Sequence, residues 1–289
     1  MHPRLRTLSL ISIVALATIL TSATFAQTDS QPEQFQRTFT VTPAATLNIE
    51  NYKGTIHVTG SDSNQVVVDV HKRFEGSDAD RKWWMENVKI NFRNDPSTVE
   101  IKVDYPSQTW NCMFCWRDHN FTDEVDLEIR APRQISLKLD GYKPDIKISS
   151  VQGDVGIKSY KAPMLIESTR GAIHIDTYKD TIRLRDVTLN GPLEVKSYKA
   201  DLEVSANALG PTADLETDKG SIVLRVPEDA GLDVDYSGGR RSSFHSDFNL
   251  SASMSDSESV RGTVNRGGTR VRLRTEKGSI SLEKLPRGL

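Results

Sequence analysis

The dipeptide Tyr-Lys recurs through the middle of the chain at Tyr142-Lys143, Tyr160-Lys161, Tyr178-Lys179 and Tyr198-Lys199, spaced by 18, 18 and 20 residues. Asp218-Lys219 follows after 20 more, with the tyrosine lost. Lys143, Lys161, Lys179, Lys199 and Lys219 therefore keep one offset and never change sign. Aromatic rings beside ammonium groups could grip an acidic glycan or another extended anionic polymer. The same row has a structural reading, in which the tyrosines stack on one another and the lysines solvate a corner. Asp145, Asp180 and Asp201 lie close by in sequence and could neutralise such a ridge locally.

The segment "WNCMFCWRDHN" holds Cys112 and Cys115, the only two cysteines. In an oxidising compartment they would pair and staple a loop. Trp110 before the pair resembles a thioredoxin-type site, but that chemistry needs a helix start to lower the thiol pKa. Here the pair lies between β-patterned segments. Cys112, Cys115 and His119 would supply three metal ligands, with Met113 suiting a soft ion, yet no fourth ligand is evident and no metal site is assigned. Asp180 and Asp201 are the best candidates for a paired-carboxylate glycosidase. Acids are expected on any solvated strand surface, however, and nothing dedicated to raising one carboxylate pKa stands out. His57 and His174 lie between inward apolar residues and are expected to face solvent. No Ser-His-Asp arrangement, phosphate loop or cofactor motif is present, so no cofactor and no catalytic residue is expected.

The elements that carry these residues follow from alternation. Five and three residues before each tyrosine stand Leu137/Leu139, Val155/Ile157, Ile173/Ile175 and Leu193/Val195. Four and six residues after it stand Ile146/Ile148, Met164/Ile166, Ile182/Leu184 and Leu202/Val204. A spacing of two marks a strand with one buried face. Inward positions are odd offsets before the tyrosine and even offsets after it, so a corner separates the two runs. The residue before each tyrosine (Gly141, Ser159, Thr177, Ser197) is small, as a crowded inner corner requires. Gly153, Gly171, Gly191, Gly210 and Gly231 close the units, where a turn could use positive φ. "NYKGTIHV" and "TEKGSISL" repeat the outline near the two ends.

This pattern predicts an all-β fold, a parallel β-solenoid with coils of 18–20 residues and like positions directly above one another. An antiparallel β-sandwich is the alternative, but its hairpins would not hold one residue type at one offset. Two places before the tyrosine the signs alternate, Asp140, Lys158, Asp176, Lys196, Glu216, which describes a face that neutralises itself. "SDADRKWWMENV" reads as one short helix capped by Ser77 and Asp80.

The start of the chain reads as a secretory signal over residues 1–26, with Arg4 and Arg6 as the basic region and Leu8 to Leu20 as the apolar region. Residues 27–37 read as a disordered linker. Residues 38–289 form one domain. Within it, 38–136 hold N-terminal strands, the helix and the cysteine loop, and 137–236 hold the regular coils. Residues 237–268 are an irregular, loop-rich coil, and 269–289 are the final coil. The net charge of −2, or −4 once Arg4 and Arg6 are removed, argues against a nucleic-acid partner. No later segment is apolar enough to cross a bilayer, so the mature protein is expected to be exported to the periplasm or cell surface and not to be integral to a membrane.

"LNIENYKGTIHVTGSDSNQVVVDV", "LEVKSYKADLEV" and "GGTRVRLRTEKGSISLEK" together resemble the bacterial envelope family of "putative adhesins", a domain of unknown function built as a β-solenoid. The resemblance spans nearly the whole mature chain. It implies no catalytic residues, and this chain departs from it in the cysteine loop and in the enrichment of Tyr-Lys corners. The expected role is binding or scaffolding through a repetitive surface, with an envelope polysaccharide or another envelope protein as partner. The alternatives are a polysaccharide-processing enzyme and a redox or metal-handling protein using Cys112 and Cys115.

Overall fold

The computed structural model describes residues 33–105, 122–255 and 258–286. Cys112, Cys115 and His119, the signal-like segment and most of the expected linker lie outside them. The first elements are β1 (Gln34–Thr40), β2 (Ala45–Ser61), β3 (Gln65–Glu75), the helix α1 (Asp78–Asn87), β4 (Lys89–Asp95), β5 (Thr98–Asp104) and β6 (Thr122–Pro132). The repeats follow as β7 (Ile135–Ser149), β8 (Val155–Lys161), β9 (Met164–Glu167), β10 (Arg170–Lys179), β11 (Ile182–Lys199), β12 (Leu202–Ala208), β13 (Thr212–Lys219) and β14 (Ile222–Val226). The chain ends with β15 (Leu232–Ser246), β16 (Leu250–Ser255), β17 (Ser259–Val264) and β18 (Thr269–Lys284). The fold is all-β with one helix among the described residues, none of whose helices is long and apolar enough to cross a membrane.

Successive repeats pair in parallel and in register. Leu137 faces Val155, Val155 faces Ile173, and Ile173 faces Leu193. On the other side of the corner Ile146 faces Met164, Met164 faces Ile182, and Ile182 faces Leu202. All of these side chains are buried. Each fully buried aliphatic contributes about 1.5–3 kcal/mol, so columns of them are enough to close the coils on each other. The antiparallel sandwich does not account for this register, because hairpin neighbours would run in opposite directions.

Chain order is not stacking order. β2 lies between β5 and β6 on one side and β7 on the other. β18 lies between β13 and β14 on one side and β15 on the other. The segment read as the final coil is therefore interior. Residues 237–268, read as an irregular coil, instead contain the second half of β15 and the antiparallel strands β16 and β17. Polar composition concealed these strands, because the second half of β15 is largely solvent-facing.

The unit-closing glycines are fixed by close stacking more than by turn geometry. A Cβ on Gly153 would stand 2.2 Å from the Ile135 carbonyl oxygen, and one on Gly171 2.3 Å from that of Gly153. Of the five, only Gly171 has positive φ, at 149°.

Candidate functional site

Strands β2 and β7 run through the Tyr-Lys corner without a break, and the buried face switches there. In β7 the inward series is Ile135, Leu137 and Leu139 before the corner and Pro144, Ile146 and Ile148 after it. That switch is a one-residue slip, and it leaves backbone groups at the inside of the bend to be satisfied. Small polar side chains serve them. Thr217 donates to the Ala200 carbonyl at 3.1 Å and Thr275 to the Gly220 carbonyl at 3.0 Å, while the Ser159 hydroxyl links to the next coil by donating to Thr177 Oγ1 at 2.7 Å. Thr177, Thr217 and Thr275 are buried. Where a hydroxyl stands here it serves the bend, since an unpaired buried carbonyl costs about 1–3 kcal/mol; in β2 the Asn51 amide takes that part, donating to the Val125 carbonyl at 2.8 Å.

Outside the bend the tyrosines form a continuous stack. Ring centroids are 4.9 Å apart for Tyr142–Tyr160 and Tyr160–Tyr178, and 5.0 Å for Tyr178–Tyr198, with interplanar angles of 4°, 5° and 16°. Tyr52 from β2 adds a fifth ring 4.7 Å from Tyr142. Tyr105 closes that end at 5.8 Å, with its hydroxyl within hydrogen-bonding distance of Asn51 Oδ1 and the Lys53 carbonyl. Burial pushes the Tyr105 phenol up from its ordinary pKa, and burial followed by the neighbouring Tyr142 does the same at Tyr52. At the far end Lys219 Nζ sits 4.6 Å from the Tyr198 ring centroid and donates to its hydroxyl at 2.6 Å. That hydrogen bond holds the Lys219 ammonium above its usual pKa.

One expectation is corrected by this geometry. Ring faces were to grip a ligand, but each face inside the stack is covered by the next ring. The ladder offers edges and hydroxyls, with Tyr52, Tyr160 and Tyr178 still 48%, 38% and 42% exposed.

The lysine row is longer than the sequence reading. Lys53 faces Lys143, Lys161 faces Lys179, Lys179 faces Lys199, Lys219 faces Lys277, and Lys277 faces Arg241. Lys53 is paired with Asp123. Among the described residues no carboxylate lies within 4.0 Å of Lys143, Lys161, Lys179, Lys199, Lys219 or Lys277, so within the row only Lys53 has an ion-pair partner. Asp145, Asp180 and Asp201 do not neutralise the row. Asp180 accepts from the Thr181 N–H at 3.2 Å and Asp201 from the Ser221 N–H at 2.8 Å, so both are engaged in holding backbone.

The neighbouring row behaves differently. Asp140 faces Lys158, Lys158 faces Asp176, Asp176 faces Lys196, and Lys196 faces Glu216. Glu216 then pairs with Arg274 at 3.5 Å. His57 and His174 stand on outward faces, paired with Glu128 at 2.7 Å and Glu194 at 3.0 Å. No group of three His, Cys, Asp or Glu among the described residues is arranged to hold a metal ion.

Residues 36–283, nearly the whole described chain, match the family described as Toastrack DUF4097. The chain belongs to that family. The Toastrack chain has no match among curated proteins. Solved structures similar to it include a "putative adhesin" of Bacteroides fragilis at 11% identity and a TM-score of 0.41, covering 89% of this chain and 99% of that one. A "putative cell adhesion protein" of Clostridium sporogenes has 10% identity and a TM-score of 0.34, covering 87% and 100%. A "putative lipid binding protein" of Parabacteroides distasonis has 13% identity and a TM-score of 0.29, covering 89% and 99%. Tyr52 in the ladder, and Lys53, Lys277 and Arg241 in the row, were left out by the sequence reading. The signal for Tyr52, Lys53 and Lys277 was present in "NYKGTIHV" and "TEKGSISL", but distance along the chain hid that these copies are spatial neighbours of the middle coils.

Proposed function

We propose that this Toastrack protein is a non-catalytic, exported envelope protein that holds an extended anionic polymer along the lysine row. One observation carries the reading: Lys143, Lys161, Lys179 and Lys199 stand at equivalent positions of successive parallel coils with no carboxylate partner among the described residues. Like charges about one strand spacing apart repel by roughly 1 kcal/mol in water, and folding gains nothing from them. The row beside it alternates in sign, so the same scaffold readily accommodates neutralisation. The stacked tyrosines space the ammonium groups and add hydroxyls at the rim. Each coil supplies one weak contact, and the coils act together on a long partner.

The carboxylates best placed for glycoside cleavage, Asp180 and Asp201, are tied to backbone N–H groups, which supports binding over hydrolysis. The reading of Cys112 and Cys115 as a disulfide, or as a redox or metal site, concerns residues outside the described ones and is decided by counting reactive thiols under native conditions.

The test is co-sedimentation of residues 27–289 with insoluble envelope polysaccharide, beside a variant carrying Lys161→Ser, Lys179→Ser and Lys199→Ser. Binding that weakens with salt and is lost in the variant is the expected result. Equal binding by both proteins would move the site elsewhere, and no binding by either would leave the row as corner solvation.

A further inference from the structure

Gly156 sits in the middle of β8, on the outward face, where glycine weakens a strand. The corner and turn glycines of this chain are forced by close neighbours, most often backbone, but Gly156 is not. A Cβ there would meet only the Leu137 carbonyl oxygen, at 3.8 Å, which is ordinary contact, and its φ lies outside the left-handed region. Folding therefore does not explain the missing side chain. Its cross-coil partners are Lys138 on one side and His174 on the other, so the gap is a notch in an otherwise continuous row. The notch opens into a groove of about 730 Å³ that also reaches Asn48, Asp140 and Lys158.

The lining is unusual in what it leaves unpaired. Asn48 Oδ1 is shielded from solvent and has no hydrogen-bond partner. Among the described residues, neither Lys138 nor Lys158 has a carboxylate within 4.0 Å, and neither does Asp140 have a cation, whereas Lys102 at the groove edge is paired with Glu50 at 3.0 Å. His174 is held in place by Glu194. Lys138 faces Asn48 and Lys158 faces Asp140 in register, yet neither lysine engages the acceptor opposite it. A bare anion such as phosphate would satisfy the lysines and be repelled by Asp140. A ligand carrying both an anionic group and hydroxyl donors satisfies all four.

We propose that the Gly156 notch is a binding subsite for a sugar-sized ligand bearing one carboxylate. Lys138 and Lys158 would take the carboxylate, while ligand hydroxyls donate to Asn48 Oδ1 and Asp140. The ligand body lies against bare backbone where any side chain would stand. The subsite is separate from the lysine row and does not depend on the row binding anything.

The experiment is an amide NMR titration of the protein with galacturonate, with galactose and inorganic phosphate as comparison arms. Three variants are examined beside it: Gly156→Thr, Lys138→Gln, and the triple Lys161→Ser/Lys179→Ser/Lys199→Ser. Galacturonate should shift the amides around Gly156 and bind at least tenfold more tightly than galactose or phosphate. Gly156→Thr should raise Tm by about 2–4 °C, since a β-branched residue suits an open strand position, and should weaken binding at least tenfold. Lys138→Gln should weaken it while leaving Tm unchanged, and the triple variant should bind as the parent does. Unaltered binding by Gly156→Thr, equal binding of phosphate, or absence of shifts around Gly156 would each overturn the proposal.

Discussion

The inward series of β3 reads Val66, Val68, Val70, Lys72, Phe74, and the lysine is as fully buried as the valines. Its Nζ donates to the Val88 carbonyl at 2.8 Å and lies 3.4 Å from that of Met85, both at the C-terminal end of α1. A cation is well placed there against the helix dipole, yet burial, with the nearby Lys89, pushes the Lys72 pKa from 10.5 down to about 8. Between those values the unfolded chain binds more protons than the folded one, so stability should rise with pH through that window. The penalty is fully present below about pH 8 and amounts to roughly 3 kcal/mol. Urea unfolding of the parent and of Lys72→Met at pH 7 and pH 9.5 checks this. The parent should gain on the variant at the higher pH, and a difference independent of pH would show that the two carbonyls fully compensate the ammonium. Tyr178 makes a second residue-scale prediction. Tyr178→Ala removes two of the stacked pairs and should cost about 1–3 kcal/mol in stacking, whereas Lys161→Ser should leave thermal stability unchanged or slightly raised.

At the scale of elements, alternation made most strands legible, because inward residues must repeat every second position. The helix was legible too. Ser77 accepts from the Asp80 N–H at 3.2 Å, the bond its position suggested, and Trp84 from α1 packs against Phe74 at 5.7 Å. Two elements escaped. The β16–β17 hairpin reads as loop because serine, glycine and arginine interrupt the apolar alternation of its short strands. The placement of β18 escaped because pairing between strands distant in sequence leaves no local trace. That placement carries a prediction. Removing residues 269–289 would strip partners from β13, β14 and β15 together. Limited proteolysis should then cut within residues 232–264 rapidly, while β7 to β11 stay protected. Uniform resistance would show that β15 docks without β18.

At the scale of the whole molecule, stacking turns a sequence repeat into rows, and each row acts as a unit. The hydroxyl row inside the corner, the tyrosine ladder outside it and the lysine row beside it are one feature seen at three depths. Repulsion along the lysine row grows as salt is lowered, since screening shortens to about 8–10 Å only near physiological ionic strength. The protein should therefore gain thermal stability with added salt, and the Lys161→Ser/Lys179→Ser/Lys199→Ser variant should gain less. A melting series from low to moderate salt measures the difference.

The amino-acid sequence by itself determined the repeat, the inward columns, the corner and the fixed offset of Lys143 through Lys219, because each depends only on local spacing. The order in which the coils stack was decided by tertiary structure, and with it came Tyr52 in the ladder and Lys53, Lys277 and Arg241 in the row. So was the use made of the rings: spacing allows tyrosines either to present their faces or to cover one another, and only the 4.7–5.0 Å contacts show that they are covered. Whether a glycine is forced or optional also depends on what stands above it, which is why Gly153 and Gly156, three residues apart, play opposite parts.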